Sequence, residues 1–299
     1  MVIKGKRILV TGVTGTLGEN VAASFVESAE EVRGLVRDES QCNRLRGIGI
    51  DPVRGELIDQ SSLRKSVENI DLIIHCAAYL GDDMEEAEES NVTGVYNLAD
   101  VAWQEGVKRF IHISTISVYG EPTEGYFDEQ APIDPHHEEV YIKTKAKSEL
   151  ILRKYCEKGL DVVTLRSGAI CSEENSYWGD RQIERMAHAN AVDWVNPDDL
   201  IPWIHKDNLV KMIRLVTEKA SRGDVFNAID ENIPDRDFRG RLVDTLEKRL
   251  ELPNRTVECP EYSNKKIRDL GYVPDKSFEE TMHNLEKMAA KMKEYVKLQ

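Results

Sequence analysis

The stretch EEVYIKTKAKSE sets Tyr141 four residues ahead of Lys145. On a helix that spacing puts both side chains on one face, so the ammonium can approach the phenol. The same spacing arises by chance in many chains, and the pair alone leaves an ordinary surface contact open. A second set says more. The run TGVTGTLG places Gly12, Gly15 and Gly18 in a G-x-x-G-x-x-G arrangement, with Thr16 and Leu17 inside it. A dinucleotide needs such a turn: no Cβ atoms at the bend, backbone close to the pyrophosphate, and a helix N-terminus to meet the negative charge. An apolar run, Ile8 to Val10, precedes the glycines, and Leu17, Val21, Ala22, Phe25 and Val26 share one helical face after them. This strand–turn–helix context is what marks a dinucleotide site.

The end of the second strand discriminates between nucleotides. An acid there bonds the ribose hydroxyls of NAD, whereas an arginine accommodates the 2′-phosphate of NADP. The chain reads VRGLVRDES, with Arg37 after Val36. A planar, permanently charged fork suits phosphate and favours NADP. The adjacent Asp38 keeps NAD as the alternative.

The elements that must position these residues follow from periodicity. VRGLV, IDLIIHCAA, KRFIHIST and LDVVTLRSG read as short strands, and IDLIIHCAA is apolar enough to be buried on both faces of a parallel sheet. Between them, NVTGVYNLADVAWQEG reads as a helix ended by Gly106, and another helix runs from Tyr141 to Gly159. Alternating strands and helices imply a parallel sheet covered on both sides. Residues 1–166 are assigned to this dinucleotide-binding core. Beyond 167 the pattern turns polar and irregular, so 167–299 is expected to be mainly a substrate-binding cap, with segments around 203–229 returning to the core. The tail SFEETMHNLEKMAAKMKEYVKLQ has the pattern of an amphipathic helix.

A net charge of −14 argues against nucleic acid or anionic membrane as the main partner. The start of the chain carries no leader-like segment, and no stretch is long enough to span a bilayer. The five cysteines lack disulfide-scaffold or zinc-ligand spacing, which fits reduced thiols in a cytoplasmic protein. His136-His137 has no ligand-spaced partner, and no metal is expected.

Together the segments TGVTGTLG, GELID, IIHCAA, NVTGVYNL, KRFIHISTISVYG, YIKTK, LDVVTLRSG, WIHKDNL and KKIRDLGYVPDKSFEET resemble the extended short-chain dehydrogenase/reductase family, also called the NAD-dependent epimerase/dehydratase family. The resemblance implies a Rossmann-type doubly wound parallel sheet with a smaller, irregular C-terminal substrate-binding cap. It also implies that Tyr141 and Lys145 stand beside the nicotinamide. Tyrosine, with a pKa near 10, is a poor base at neutral pH. A nearby ammonium and the positive nicotinamide are expected to lower that value towards the working range. Thr115 matches the hydroxyl that hydrogen-bonds the substrate oxygen, and Asn91 resembles the asparagine linked to the lysine and water. Glu56 and Leu57 match the acidic–apolar pair near adenine, although the family usually has Asp at the first position. Ala77 and Ala78 match the small residues over which the cofactor lies. Dimerisation through the 91–106 and 141–158 helices is a further family expectation.

The departures narrow the reaction. Dehydratases of the family carry Asp-Glu after the catalytic threonine. Here those positions are Ile116 and Ser117, and an apolar side chain cannot shuttle a proton. After the sixth strand, Ser167 and Ser172-Glu173 replace the family's proline and Gly-Pro. Arg181, Arg185, Arg236, Arg239 and Arg241 are candidates to clamp a diphosphate, or arginines of a solvated surface. The sequence therefore favours an NADP-dependent oxidoreductase acting on a carbonyl or alcohol of a small molecule. An NAD-dependent sugar or nucleotide-sugar epimerase is the alternative, and a non-enzymatic nucleotide sensor is disfavoured by the intact tyrosine, lysine and threonine.

Overall fold

The computed structural model describes residues 1–297, so the last two residues of the tail read as a helix, Leu298 and Gln299, lie outside the described residues. In chain order the strands that matter are β1 (Arg7–Thr11), β2 (Glu31–Val36), β3 (Asp51–Arg54), β4 (Leu72–His75), β5 (Arg109–Thr115), β6 (Val162–Ser167), β7 (Ala169–Cys171), β8 (Leu200–His205), β9 (Val225–Ala228) and β10 (Glu231–Pro234). The helices are α1 (Thr16–Phe25), α2 (Gln60–Val67), α3 (Gly94–Gln104), α4 (Val140–Glu157), α5 (Asp180–His188), α6 (Lys206–Lys219) and α7 (Phe278–Lys297). The chain divides into two compact units. The first joins Met1–Gly120, Pro132–Arg166 and Val210–Phe226, and the second joins Glu121–Ala131, Ser167–Leu209 and Asn227–Gln299.

Seven strands form one sheet in the order β9-β6-β5-β4-β1-β2-β3. The pairings of β1 with β2, β1 with β4, β2 with β3 and β4 with β5 are all parallel. β4 and β5 are buried along their whole length, as the apolar run of β4 requires when helices cover both faces, although β5 also carries Arg109, His112, Ser114 and Thr115. The strand order reverses direction between β1 and β4. In open α/β sheets a ligand binds beyond the strand ends at that crossover. Thr11, at the end of β1, faces His75 in register, and His75 faces His112 of β5.

The helix read from Asn91 starts earlier. Asp83 caps its first turn by accepting from the Glu85 and Glu86 N–H groups, and Glu88–Thr93 then winds as a π-helix before α3. A π turn in a longer helix often accompanies a functional residue, and Asn91 sits in this one.

In the second unit a three-stranded sheet, β10-β8-β7, lies among α5 and α7. Its core is built on Trp203, Phe238 and Phe278, joined by Ile183, Met186 and Leu285. The segment Glu121–Ala131, which the sequence leaves unassigned, belongs here: Tyr126-Phe127 pairs parallel with Glu261-Tyr262. Among the described residues, no helix is long and apolar enough to cross a membrane, and all five cysteines are free.

Candidate active site

The glycine turn is shaped by close backbone approach. Gly12 has φ +66°, and a Cβ there would stand 2.7 Å from the Ala77 nitrogen. A Cβ on Gly18 would meet the Gly12 carbonyl oxygen at 2.1 Å. Neither position accepts a side chain without moving main chain. Gly15 caps α1 with no side-chain hydrogen bond, and the acid of the first turn, Glu19, is paired with Arg44. Thr16 and Leu17, both half-buried, open the helix. This cradle has the geometry that a pyrophosphate requires.

The neighbouring loops are fixed from below. The Ala77 N–H donates to Thr11 Oγ1 at 3.3 Å, and Ala78 is exposed. Leu57 packs on the apolar core, and its carbonyl accepts from Asn97 Nδ2 at 3.0 Å. Glu56 is exposed, and its N–H donates to Ser62 Oγ. At the end of β2, Asp38 turns back to cap the following 3-10 turn through the Ser40 N–H. That hydrogen bond holds its carboxyl below the usual range. Arg37 is exposed, and among the described residues its guanidinium makes no hydrogen bond or ion pair. The residues of this loop set fit a dinucleotide.

Thr115 ends β5, and α4 carries Tyr141 and Lys145. The Thr115 hydroxyl lies close enough to Tyr141 to favour its ionised form. Lys145 is buried, and its ammonium donates to the Ile113 carbonyl at 2.8 Å. Burial lowers its pKa to about 8, against a raising influence of Glu149. At Tyr141 burial pushes the pKa up to about 12, the Thr115 hydroxyl pulls it down, and Glu139 adds to the rise. Lys145 is not among the groups that move it, and burial holds Tyr141 as a phenol, a proton donor.

Asn91 is buried and satisfied elsewhere. Its Oδ1 accepts from the Tyr79 N–H at 2.8 Å, and its Nδ2 donates to the Tyr79 carbonyl at 3.0 Å and to Thr144 Oγ1 at 3.1 Å. These bonds tie the π turn to α4 and not to the Lys145 ammonium. Ile116 is buried, and Ser117 bonds back to Thr115 through its N–H and hydroxyl. The dihistidine has a local explanation, since His137 Nδ1 accepts from the Glu139 N–H at the start of α4.

Several residues around the site carried no motif. Behind Thr115 and Lys145, Glu149 accepts from Ser114 Oγ at 2.6 Å and pairs with Arg166 at 2.7 Å, and Arg166 donates to the Tyr119 hydroxyl at 2.7 Å. His75 and His112 stack with ring centroids 5.6 Å apart. Burial, with Lys145 adding to it, lowers His75 to about 3 and His112 well below its ordinary value, so both rings are neutral. The one available signal for Glu149 was its place eight residues after Tyr141, two helical turns along the same face.

In the second unit, most of the arginines considered for a diphosphate clamp are already committed. Arg236 pairs with Asp198, Arg239 with the buried Asp235, and Arg241 with Glu279 and Glu286. Arg185 lies 3.9 Å over the Trp194 ring and reaches the Tyr177 hydroxyl. Arg181 bonds Asn175.

A parallel sheet whose crossover carries this cradle defines a dinucleotide-binding α/β protein. A model of the NAD dependent epimerase/dehydratase family matches residues 8–229, and the chain belongs to that family. Over 254 residues it is 26% identical to the 4-hydroxy-2-methyl-3-oxo-4-farnesyl-3,4-dihydroquinoline-1-oxide ketoreductase of Stigmatella aurantiaca, covering 83% of this chain and 75% of that protein. It is 32% identical over 166 residues to sterol demethylase protein B of Methylococcus capsulatus. That match covers 54% of this chain and about half, 51%, of the relative. The crystal structure of DesIV, a dTDP-glucose 4,6-dehydratase of Streptomyces venezuelae with NAD bound, aligns with a TM-score of 0.82. It covers 97% of this chain and 98% of that one at 23% identity, a likeness of fold.

Proposed function

We propose that the protein is an NADP-dependent oxidoreductase that interconverts a carbonyl and an alcohol on a small molecule. The observation that carries this reading is the placing of Tyr141 and the buried Lys145 one turn apart on α4, with the Lys145 ammonium bonded to the Ile113 carbonyl two residues before Thr115 at the end of β5. In the reducing direction NADPH, when bound, supplies the hydride. Tyr141 holds the proton that the carbonyl oxygen receives, since burial keeps it a phenol. Thr115 orients that oxygen by a hydrogen bond. Gly12, Gly15, Thr16, Leu17 and Gly18 receive the pyrophosphate, Glu56, Leu57, Ala77 and Ala78 the adenosine half and the sheet-edge contact. Asn91 acts through Thr144 and Tyr79 to place α4.

Two features favour a reductase over the other chemistries of the family. Ile116 and Ser117 offer no acid–base pair for eliminating water. Arg236, Arg239 and Arg241 are paired with carboxylates, which leaves them poorly suited to a nucleotide-sugar diphosphate. The free guanidinium of Arg37 beside an engaged Asp38 favours NADP. The test is a pair of binding titrations with NADPH and NADH, after release of any nucleotide carried through purification. Tighter, exchangeable NADPH is the expected result. Preference for NADH, or NAD retained through purification, overturns the NADP reading and puts an epimerase first.

A further inference from the structure

The buried ion pair behind Lys145 has a place in this reaction, and the inference rests on the reading just given. Tyr141, Lys145 and Glu149 follow one face of α4 at intervals of four. Glu149 is 6% exposed. Its carboxylate accepts from Ser114 Oγ, from Arg166 Nε at 3.1 and 3.2 Å, and from Arg166 Nη2 at 2.7 Å. Arg166 is 1% exposed and also lies over the Tyr119 ring, 4.8 Å from its centroid. Ser114 immediately precedes Thr115, and Tyr119 closes the 3-10 turn that follows it. One ion pair thus grips the chain on both sides of Thr115 and the helix that carries Tyr141 and Lys145.

Stability is a weak account of such a pair, because apolar residues of similar volume commonly do as well in a core. The surroundings of Lys145 supply a better one. Burial opposes its charge. From β4 and β5 it is faced by His75 and His112, both neutral, and on its own helix by the phenol of Tyr141. Two groups favour the ammonium form, Glu149 and Cys76. Burial raises the Cys76 thiol to about 12, so near neutral pH it carries no charge. Glu149 is left as the anion that supports Lys145.

We propose that Glu149, held by Ser114, Arg166 and Tyr119, is a positioning residue that keeps Lys145 an ammonium at neutral pH and in line with Tyr141 and Thr115. The inference is read on Lys145 itself, by NMR of protein labelled with carbon-13 at the lysine side-chain ends. The resonance is identified by its loss in Lys145→Met. Replacing the carboxylate by Glu149→Gln removes negative charge, so the Lys145 titration moves down, by about one pH unit or more, roughly tenfold in proton affinity. Glu149→Asp restores most of it. A double variant, Glu149→Gln with Arg166→Met, leaves no guanidinium without its carboxylate, and it moves the lysine the same way if the single variant does not fold.

In steady-state carbonyl reduction with NADPH, the limb of the pH profile that follows Lys145 moves with it. A lysine that titrates as in the wild type in a folded variant overturns the proposal. So does a lysine that moves while the rate profile stays in place. Turnover that survives Tyr141→Phe sinks instead the oxidoreductase reading, and the lysine titration distinguishes the two failures because it needs no turnover.

Discussion

The two units treat buried polarity differently. In the first, groups that burial penalises gather at the ends of β1, β4 and β5. His75 Nε2 and His112 Nδ1 have no hydrogen-bond partner, and the Lys145 ammonium rests on a backbone carbonyl. In the second, the buried acids are answered, and the side-chain atoms left without a partner belong to groups that do not titrate, Gln182, Trp194 and Trp203. Asp235 meets Arg239, Asp199 meets Arg255, and Asp230 accepts from Tyr272, Asn208 and the His205 N–H. Its core is aromatic, with Trp203 edge-on to Phe278 at 5.2 Å. Conflicts between local stability and burial concentrate where a protein does chemistry. What sets the first unit apart is that its unanswered rings, His75 and His112, are titratable and stand near Lys145.

The sharpest test removes one oxygen from the first unit. Tyr141→Phe keeps the ring and its packing but deletes the proton donor. Turnover of a carbonyl substrate, followed by NADPH consumption, is expected to fall about 10²–10⁴-fold, the usual contribution of a placed general acid. NADPH affinity should persist, because the glycine cradle is untouched. Unchanged turnover would remove the chemical half of the comparison. The matching test in the second unit is Trp203→Ala. Trp203 is fully buried, so urea unfolding should show a loss of about 3–5 kcal/mol. The folded variant should still bind NADPH. A loss under about 1 kcal/mol would mean that the aromatic cluster does not hold this unit together.

The sequence made the first unit far more legible than the second. Glycines between an apolar strand and an amphipathic helix have few other uses, and β4 announces full burial in its composition. Tyr141 and Lys145 stood out because helix spacing is local, and the family resemblance of HISTISVYG and YIKTK gave them and Thr115 a role. The Glu149–Arg166 pair did not stand out, because helix spacing puts Glu149 on the face of Tyr141 but says nothing of a partner on another element. The excursion of Glu121–Ala131 into the second unit was hidden for a related reason: its two-residue strand pairs with Glu261-Tyr262, over a hundred residues away. The pairing of the arginines was equally invisible, since arginines on a free surface and arginines bound to carboxylates read alike. The raised Tyr141 followed from burial that no spacing could disclose.

The smallest expected effect tests whether the chemistry of the first unit opposes its stability. Lys145 titrates at about 8 in the folded protein, against an ordinary value of 10.5. Between those values the unfolded chain holds a proton that the folded chain has released, so this residue makes stability rise with pH across that window. Below about 8 the folded protein carries the buried ammonium at its full cost. At about 1.4 kcal/mol per pH unit the gap amounts to roughly 3 kcal/mol. Lys145→Met removes that cost but leaves the Ile113 carbonyl without its donor, a loss of about 1–3 kcal/mol. The variant should therefore gain about 1 kcal/mol at pH 7 by urea unfolding. Its advantage should fall away as pH rises from about 8 to 10.5, while turnover is lost at every pH. A variant less stable than the wild type by a constant amount across that range would mean that Lys145 is held without strain, and that the contrast between the units is one of composition alone.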